Sequence, residues 1–283
     1  MQRVLVLGAK GMVGSALTGV ASPPFDVIGL GHGELDITAE SETFRTIQEI
    51  RPRIVIHAAA YTDVDGCEEN PERAFNTNSQ GTLFVAQACR RVGARLVYLS
   101  TDYVFDGKCP KPYGEEARVN PISVYGRVKL EGERHVQRLL EAFVIVRTQW
   151  LFGEGGRNFV DTIMDLAKAG KPLKIVQDQI GSPTYTVDLS QAIFRLLEKG
   201  CHGIFHVANR TSCSWYDLAR EVVRVSGISG AEIIPIQSVD LDRSAPRPEH
   251  SVLDCEKLTR ETGLRMRTWQ EALRAFIEGR EMS

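Results

Sequence analysis

The sequence predicts an α/β fold in which a doubly wound parallel sheet is interleaved with a smaller C-terminal lobe. First, short apolar runs alternate with helical patterns through the first half of the chain, which is typical of β-α-β units. Second, these runs lack polar alternation, as expected for strands that helices cover on both faces. Third, the regular alternation of strands and helices ends after Arg147, where loops containing glycine and proline separate shorter segments.

The first half is predicted to contain five strands and four helices. Each strand is a short apolar run bounded by Gly, Pro or charged residues. The strands are Arg3–Leu7, Val27–Leu30, Ile54–His57, Arg95–Leu99 and Phe143–Val146. The helices between them are Gly11–Val20, Ala39–Ile50, Pro71–Val92 and Pro121–Leu140.

The second half is predicted to form the smaller lobe and to return once to the sheet. Helices are expected at Asn158–Ala169 and Tyr216–Ser226, and a short strand at Glu232–Ile236. The segments Val187–Leu197 and Gly203–Val207 would rejoin the first core. We therefore expect a sheet domain over residues 1–147, rejoined by about 186–208, and a lobe over 148–185 and 209–283.

Composition and charge exclude several classes of function. A net charge of −2 gives no electrostatic reason to bind nucleic acid. The six cysteines are scattered without metal-ligand spacing, so we expect reduced thiols and no metal site. The N-terminal apolar run is as short as a strand, which predicts neither a signal peptide nor a membrane helix. A cytoplasmic location is expected.

A glycine-rich loop follows the first predicted strand and opens the first helix. It reads Gly8-Ala9-Lys10-Gly11-Met12-Val13-Gly14. Glycines there let the backbone turn sharply and let a pyrophosphate approach the helix N-terminus. The alternative is a tight turn that binds nothing, but the position directly after the first strand favours a Rossmann-type dinucleotide-binding domain.

The end of the second strand bears on the choice between NADP(H) and NAD(H). An acid there would bind the adenosine ribose of NAD(H). The chain reads Leu30-Gly31-His32-Gly33-Glu34, so no carboxylate is expected at that place. His32 is a candidate for a 2′-phosphate, and Asp36 and Ile37 are candidates for the adenine. NADP(H) is favoured, with NAD(H) as the alternative.

Three side chains form a candidate catalytic set. Tyr125 and Lys129 are four residues apart on a predicted helix that Asn120-Pro121 would begin, so they share one face. An ammonium lowers the pKa of a neighbouring phenol toward neutral pH, and it can also bind the cofactor ribose. Thr101 follows the fourth strand, where a hydroxyl can polarise a carbonyl. Surface positions for the tyrosine and lysine, and a turn role for the threonine, are the alternatives.

These motifs resemble the extended short-chain dehydrogenase/reductases, and within them the dTDP-4-dehydrorhamnose reductase family. The similarity covers nearly the whole chain. Its most specific stretches are His57–Asp65, Leu99–Gly107, Asn120–Glu133, Arg147–Phe152, Asn158-Phe159, Asp178–Thr184, Arg247-Pro248 and Ser251–Asp254.

The resemblance implies a role for each matching residue. Tyr125 would be the general acid. Lys129 would lower the pKa of Tyr125 and bind the cofactor ribose, and the Thr101 hydroxyl would polarise the carbonyl. The cofactor site would comprise Gly8, Lys10, Gly11, Met12, Val13, Gly14, His32, Asp36, Ile37, Ala58, Ala59, Ala60, Tyr61, Ser100, Tyr125 and Lys129. The substrate site would comprise Thr101, Asp102, Val104, Tyr125, Trp150, Asn158 and Arg247, with Arg247 suited to a pyrophosphate.

The resemblance also implies an activity, which is reduction of the C4 keto group of dTDP-4-dehydro-L-rhamnose to dTDP-L-rhamnose with NAD(P)H. A nucleotide-sugar epimerase and a non-catalytic regulatory subunit of methionine adenosyltransferase are the alternatives. Some family members use an acid after the last loop glycine for a metal-linked dimer. Ser15-Ala16 stands there in this chain, so no metal is expected. A homodimer is one option for the assembly.

Overall fold

The computed structural model describes residues 1–281. Its strands are β1 Gln2–Leu7, β2 Phe25–Leu30, β3 Ile54–His57, β4 Arg95–Thr101, β5 Phe143–Thr148, β6 Leu151–Phe152, β7 Leu173–Val176, β8 Ile180–Gly181, β9 Thr184–Tyr185, β10 Gly203–His206, β11 Cys213–Ser214 and β12 Ile233–Ile236. Its α-helices are α1 Met12–Val20, α2 Glu40–Ile50, α3 Val64–Glu69, α4 Pro71–Ala74, α5 Gly81–Val92, α6 Val124–Leu139, α7 Phe159–Lys168, α8 Thr186–Glu198, α9 Trp215–Val225, α10 Glu256–Thr262 and α11 Trp269–Glu281.

Six parallel strands form the central sheet in the order β10-β5-β4-β3-β1-β2. Chain order reverses between β1 and β3, so the carboxyl ends of these two strands open a crevice at the position where open α/β sheets bind ligands. The late strand β10 pairs with β5, so the chain returns to the sheet after leaving it for the small lobe. The predicted fold class, a doubly wound sheet with an interleaved lobe, is confirmed.

Helices cover both faces of the sheet. On one face α1 packs against α8, and Leu17, Leu189 and Ile193 are fully buried there with Val4 and Val6 of β1. On the other face α2, α5 and α6 pack in a row over the remaining β-strand side chains. Both faces of the sheet are covered by helices and shielded from water, which explains why the strands are continuous apolar runs in the sequence.

The smaller lobe has its own core. Helices α7, α9 and α11 pack together around Phe152, Leu218 and Phe276, and the parallel pair β7–β12 lies beside them. The predicted helices and the predicted strand of this half are present at these places. The exact division at residues 147, 186 and 208 stays a prediction.

Helix α6 begins later than the sequence predicts. The expected start at Asn120-Pro121 is wrong, because the helix begins at Val124 and Ser123 is its N-cap, accepting from Gly126 N at 3.1 Å. The Asn120 amide instead donates to Asp106 Oδ2 at 3.0 Å. Tyr125 therefore lies in the first turn of α6.

The predicted helix Pro71–Val92 is interrupted by a π-helical segment, Phe75–Gln80. Within this segment Asn78 is buried, and its amide holds Tyr61 by both backbone groups, accepting from the N–H and donating to the C=O at 2.8 Å each. Such widened turns often occur at functional sites, and here the segment fixes the loop that follows β3.

No helix within residues 1–281 is long and apolar enough to cross a membrane.

Candidate active site

The glycine loop after β1 folds closely against the loop after β3. Gly8 adopts a φ of +81°, and a Cβ on it would lie 2.7 Å from Ala59 N. A Cβ on Gly14 would lie 2.1 Å from Gly8 O, so the start of α1 touches the loop backbone. Gly11 is the N-cap of α1, and no side chain within residues 1–281 caps it. No side chain of the described residues therefore competes for the N–H groups at this helix end, as an anion site requires.

A cleft of about 790 Å³ opens beside this loop. Many of the predicted cofactor residues line it, namely Gly8, Lys10, Gly11, His32, Asp36, Ile37, Ala58, Ala59, Ala60 and Tyr61. Met12, Val13 and Gly14 form the first turn of α1 next to it. The glycines, the helix terminus and the size of the cleft fit a dinucleotide. The roles of the individual residues stay predictions.

Sequence reasoning missed the far wall of this cleft. It is lined by Asn70, Glu72, Arg73, Asn76 and Thr77 from α4 and the π-helical segment. The Arg73 guanidinium lies 4.3 Å from the centre of the Tyr61 ring. The sequence signal was the polar pair Asn76-Thr77 within a predicted helix, and it gave no hint of the π-helical segment that places the pair at the cleft.

The end of β2 differs from the sequence expectation. No carboxylate was expected there, but Glu34 folds back over the turn so that its Oε2 accepts from Gly31 N at 2.6 Å. Lys10 Nζ lies 3.3 Å from the same oxygen. The hydrogen bond from Gly31 and the Lys10 ammonium lower the pKa of Glu34. An acid is therefore present at the end of β2, supplied from three residues downstream.

The structure brings Thr101, Tyr125 and Lys129 together at the carboxyl end of β4. Thr101 ends that strand and is buried, and its hydroxyl interacts with the Tyr125 phenol closely enough to lower the pKa of the phenol. Lys129 lies one turn further along α6 with Nζ 2.6 Å from Leu99 O and 4.2 Å from the centre of the Tyr98 ring. A hydroxyl, a phenol and an amine therefore lie at the carboxyl end of β4, next to β3, which is one of the two strands that open the crevice.

The pKa values of Tyr125 and Lys129, the two ionisable groups of this set, are shifted in opposite directions. Burial and the Asp102 carboxylate raise the pKa of Tyr125 above its ordinary value, outweighing the opposite effect of Thr101. Burial lowers the pKa of Lys129 to about 7, although Glu133 opposes this effect. The phenol is therefore protonated at neutral pH and ready to act as an acid, while the lysine changes charge in the physiological range.

Asp102 lies directly beside Thr101 and is also buried. The Thr101 hydroxyl donates to Asp102 Oδ1 at 3.0 Å. Burial raises the pKa of Asp102 to about 6, although the Ser251 and Thr101 hydroxyls lower it. Ser251 also donates to buried Gln149 Oε1 at 3.5 Å. Gln149 and Ser251, which sequence reasoning did not select, therefore belong to the wall around Asp102.

Ser100 makes a contact different from the one its predicted cofactor role suggests. Its hydroxyl donates to Glu133 Oε1 at 2.5 Å, and Arg147 donates to the same carboxylate through Nε at 2.9 Å and Nη2 at 2.7 Å. All three residues are buried. This network holds α6 against β4 and β5, one turn below Lys129.

A second cavity of about 290 Å³ lies between the sheet and the small lobe, and of the predicted substrate residues it is Arg247 that lines it. Arg247, Arg243 and Lys174 line it together with Tyr103 and Asp65. Arg247 is engaged by Asp65 through two hydrogen bonds of 2.7 and 2.6 Å, which lower the pKa of Asp65 to about 2. The cavity carries three cationic side chains and one carboxylate, so it suits an anion.

The remaining substrate candidates have defined structural contacts. Trp150 has a φ of +47° and stacks on Trp215 with ring centres 3.6 Å apart. Asn158 caps α7, accepting from Asp161 N at 3.1 Å, and Val104 is fully buried under the loop after β4. These contacts give each residue a packing or capping role, and substrate contact stays a prediction for all three.

Comparison with known proteins places this geometry in a family. The model of the RmlD substrate binding domain family matches residues 1–282. The dTDP-4-dehydrorhamnose reductase of Streptomyces griseus is 41% identical over 283 residues, covering 96% of this chain and 91% of that protein. The dTDP-4-keto-6-deoxy-D-glucose reductase of Streptomyces niveus is 38% identical over 277 residues, covering 96% and 95%.

A solved structure is similar over the same length. The dTDP-4-dehydrorhamnose reductase of Bacillus anthracis in complex with NADP superposes with a TM-score of 0.95 at 39% identity, covering 99% of this chain and 100% of that one. The resemblance read from the motifs is confirmed: the chain belongs to the RmlD substrate binding domain family.

Proposed function

We propose that this protein is an NADPH-dependent reductase of a dTDP-bound 4-keto-6-deoxysugar, with dTDP-4-dehydro-L-rhamnose as its substrate and dTDP-L-rhamnose as its product. The observation that carries this proposal is the meeting of Thr101, Tyr125 and Lys129 at the carboxyl end of β4. NAD(H) is the alternative cofactor. The names of relatives at similar identity include reductases of two different 4-keto sugars.

Each residue of the set has a distinct task in this chemistry. When bound, the reduced nicotinamide supplies a hydride to C4 of the sugar. Tyr125 donates its proton to the C4 oxygen as negative charge develops there, and the Thr101 hydroxyl stabilises that oxygen. Lys129 in its charged form favours the loss of the proton from Tyr125 and binds the cofactor ribose. The raised pKa of Tyr125 keeps the acid form available before the reaction.

The second cavity would hold the nucleotide diphosphate. Arg247, Arg243 and Lys174 provide the positive charge, and a guanidinium can pair with two phosphate oxygens at once. The sugar would then extend from this cavity toward Thr101, past Asp102. This placement is supported by the position of Tyr103, which lines the cavity and also contacts Tyr125 edge to face with ring centres 5.5 Å apart.

We also propose a cytoplasmic enzyme, since all six cysteines, each within the described residues, are free thiols. A homodimer is the assembly we propose to test by light scattering.

The test is oxidation of the nicotinamide, followed by its absorbance, with purified protein and enzymatically generated dTDP-4-dehydro-L-rhamnose. Stoichiometric oxidation of NADPH with formation of dTDP-L-rhamnose is expected. An epimerase would convert the sugar without consuming the cofactor. A protein that binds NADPH but acts on no dTDP-4-keto sugar, and that copurifies with a methionine adenosyltransferase, would instead be a regulatory subunit.

A further inference from the structure

The amine of Lys129 lies in a buried place where a positive charge is costly. The residue is 3% exposed, and its Nζ donates to Leu99 O at 2.6 Å. Glu133, the carboxylate that favours the charged form, accepts from Arg147 at 2.7 Å and from Ser100 at 2.5 Å. Because this carboxylate is shared with other groups, a further contact that favours the charge has a large effect at such a site.

The aromatic ring of Tyr98 provides such a contact. Lys129 Nζ lies over this ring, 4.2 Å from its centre. A cation within about 6 Å of the ring centre is attracted to the ring face, most strongly where both partners are removed from water. Tyr98 is fully buried in β4, so this condition is met. A neutral amine gains much less from the ring, and the contact therefore favours the ammonium.

The hydroxyl of the same tyrosine reaches the backbone of α6. It donates to Lys129 O at 3.3 Å, which ties the residue that carries the amine to the strand that ends at Thr101. Gly132 makes this approach possible, because a Cβ there would lie 2.3 Å from the Tyr98 hydroxyl oxygen. A glycine inside a helix lowers the stability of the helix. Here it lets Tyr98 contact both the amine and the carbonyl of Lys129.

Titratable groups act on Lys129 from β3, β4 and α6. His57 of β3 packs against the Tyr98 ring with ring centres 5.6 Å apart, and burial lowers its pKa to about 3, so it is neutral. Burial raises the pKa of Tyr98 and of Tyr125, which keeps both phenols neutral. Glu133, one turn further along α6, favours the ammonium. Lys129 is therefore the group of this set whose charge changes near neutral pH.

We propose that Tyr98 is a positioning residue for the reaction, whose ring keeps the Lys129 amine in place and charged, and whose hydroxyl fixes the turn of α6 that carries this amine. Tyr98 acts through Lys129 and is not itself a catalytic residue. The inference rests on the proposed function only in giving Lys129 a task at the cofactor ribose and beside Tyr125. It implies that the charge of Lys129 depends on an aromatic ring at position 98.

The test observes Lys129 directly by NMR, on the full chain with its lysines labelled with ¹³C at Cε. Loss of a signal in Lys129→Met assigns it. In the wild-type protein the Lys129 ε protons are expected upfield of those of exposed lysines, because the amine lies over a ring face, and to titrate near pH 7. In Tyr98→Leu the upfield shift should vanish, and the midpoint should fall by about 0.5–1 pH unit through loss of the cation–ring attraction. Tyr98→Phe keeps the ring and should retain both properties.

A second lysine provides the matched control signal. Lys257 Nζ lies 4.4 Å from the centre of the Phe205 ring and donates to Ile204 O at 2.7 Å. Its ε signal should also lie upfield, and substitutions at position 98 should leave it unchanged. If Tyr98→Leu alters both lysines, the fold rather than one contact has changed, and Tyr98→Met, a longer side chain without a ring, replaces it in the same measurement.

Several results would overturn the proposal. An unshifted Lys129 signal in the wild-type protein would show that the amine does not lie over the ring. An unchanged or raised midpoint in the variants without a ring would show that the ring does not favour the charge, and an equal fall in Tyr98→Phe would assign the effect to the hydroxyl.

Kinetics connects the NMR result to the reaction. The pH at which kcat/KM for NADPH falls should move with the Lys129 midpoint in each variant, and a midpoint that moves alone would remove Tyr98 from the reaction. The NMR titration needs neither cofactor nor sugar. An inactive protein with the expected signals would therefore refute only the proposed function.

Discussion

The Thr101 hydroxyl donates its hydrogen to Asp102 Oδ1 at 3.0 Å, and the Thr101 hydroxyl oxygen accepts from Tyr103 N at 3.2 Å. The hydrogen of the predicted carbonyl-polarising group is therefore committed to its neighbour in the free protein. Asp102 is buried, and burial raises its pKa to about 6. The charge state of Asp102 consequently affects both the direction of the Thr101 hydroxyl and the stability of the fold.

Replacement of Asp102 by Asn is expected to stabilise the free protein at about pH 7.5. The pKa of the acid is raised from 3.8 to about 6 in the folded state, so the fold binds the proton more tightly than the unfolded chain. Stability from this group is present below the unfolded value and is lost as pH rises through about 6. Asp102→Asn should therefore gain about 1–3 kcal/mol at about pH 7.5 and nothing near pH 4. Urea unfolding at both pH values measures this, and an equal effect at the two would contradict it.

Replacement of Tyr125 by Phe is expected to lower kcat by about 10²–10⁴-fold, because the proposed general acid is lost. Cofactor affinity should be nearly unchanged, since the ring and its edge-to-face contact with Tyr103 remain. Steady-state kinetics and calorimetry separate the two effects. Wild-type turnover in Tyr125→Phe would refute the proposed mechanism.

The pH dependence of kcat/KM for NADPH is expected to reflect Lys129. Burial lowers the pKa of this lysine to about 7, so the free protein loses the ammonium as pH rises through that value. Because we propose that the charged form binds the cofactor and assists Tyr125, kcat/KM should fall above about pH 7. Lys129→Arg keeps its charge throughout, so its profile should lack this decline even if its activity is low. A wild-type profile that rises above neutral pH would show that the neutral amine is the active form.

The two glycines of α1 offer a matched comparison. A Cβ on Gly14 would lie 2.1 Å from Gly8 O, whereas a Cβ on Gly19 would meet nothing within 4 Å in the described structure. Gly14→Ala should destabilise the protein by about 1–3 kcal/mol, the cost of overpacking, and weaken NADP⁺ by displacing the loop. Gly19→Ala should stabilise it by about 0.5–1 kcal/mol, since alanine favours helix. Thermal unfolding and cofactor titration of both variants check this, and similar effects at the two positions would contradict it.

The ion pair between Asp65 and Arg247 is expected to compete with substrate. Two short hydrogen bonds occupy the guanidinium that we assign to the nucleotide diphosphate. Asp65→Asn should therefore lower KM for the dTDP-sugar, whereas Arg247→Met should raise it about tenfold or more through loss of a charge-assisted contact. Initial rates at varied sugar concentration, with cofactor saturating, measure both. A raised KM in Asp65→Asn would indicate that Asp65 instead positions Arg247 for the substrate.

The sequence by itself determined the sheet and the cofactor loop. Strands β1 to β5 were predicted because strands buried on both faces are continuous apolar runs, and that pattern is local. The loop Gly8–Gly14 was recognisable because its glycines are needed at one strand-to-helix turn, as the close approach of Gly14 to Gly8 O demonstrates. Tyr125 and Lys129 were found from their spacing, which also is local.

Tertiary structure alone decided how distant segments complete the site. Glu34 supplies an acid to the end of β2 only because the turn folds back onto Gly31 N. Asn78 reaches Tyr61 through a π-helical segment, and Asp65 reaches Arg247 across 182 residues. The start of α6 shifted because Ser123 caps Gly126 while Glu68 of another helix binds Val124 N. The contacts of Asn78, Asp65 and Glu68 join residues 17, 182 and 56 positions apart, so no local pattern records them. The contacts of Glu34 and Ser123 each span three residues, and there the packing around the turn decided between local alternatives.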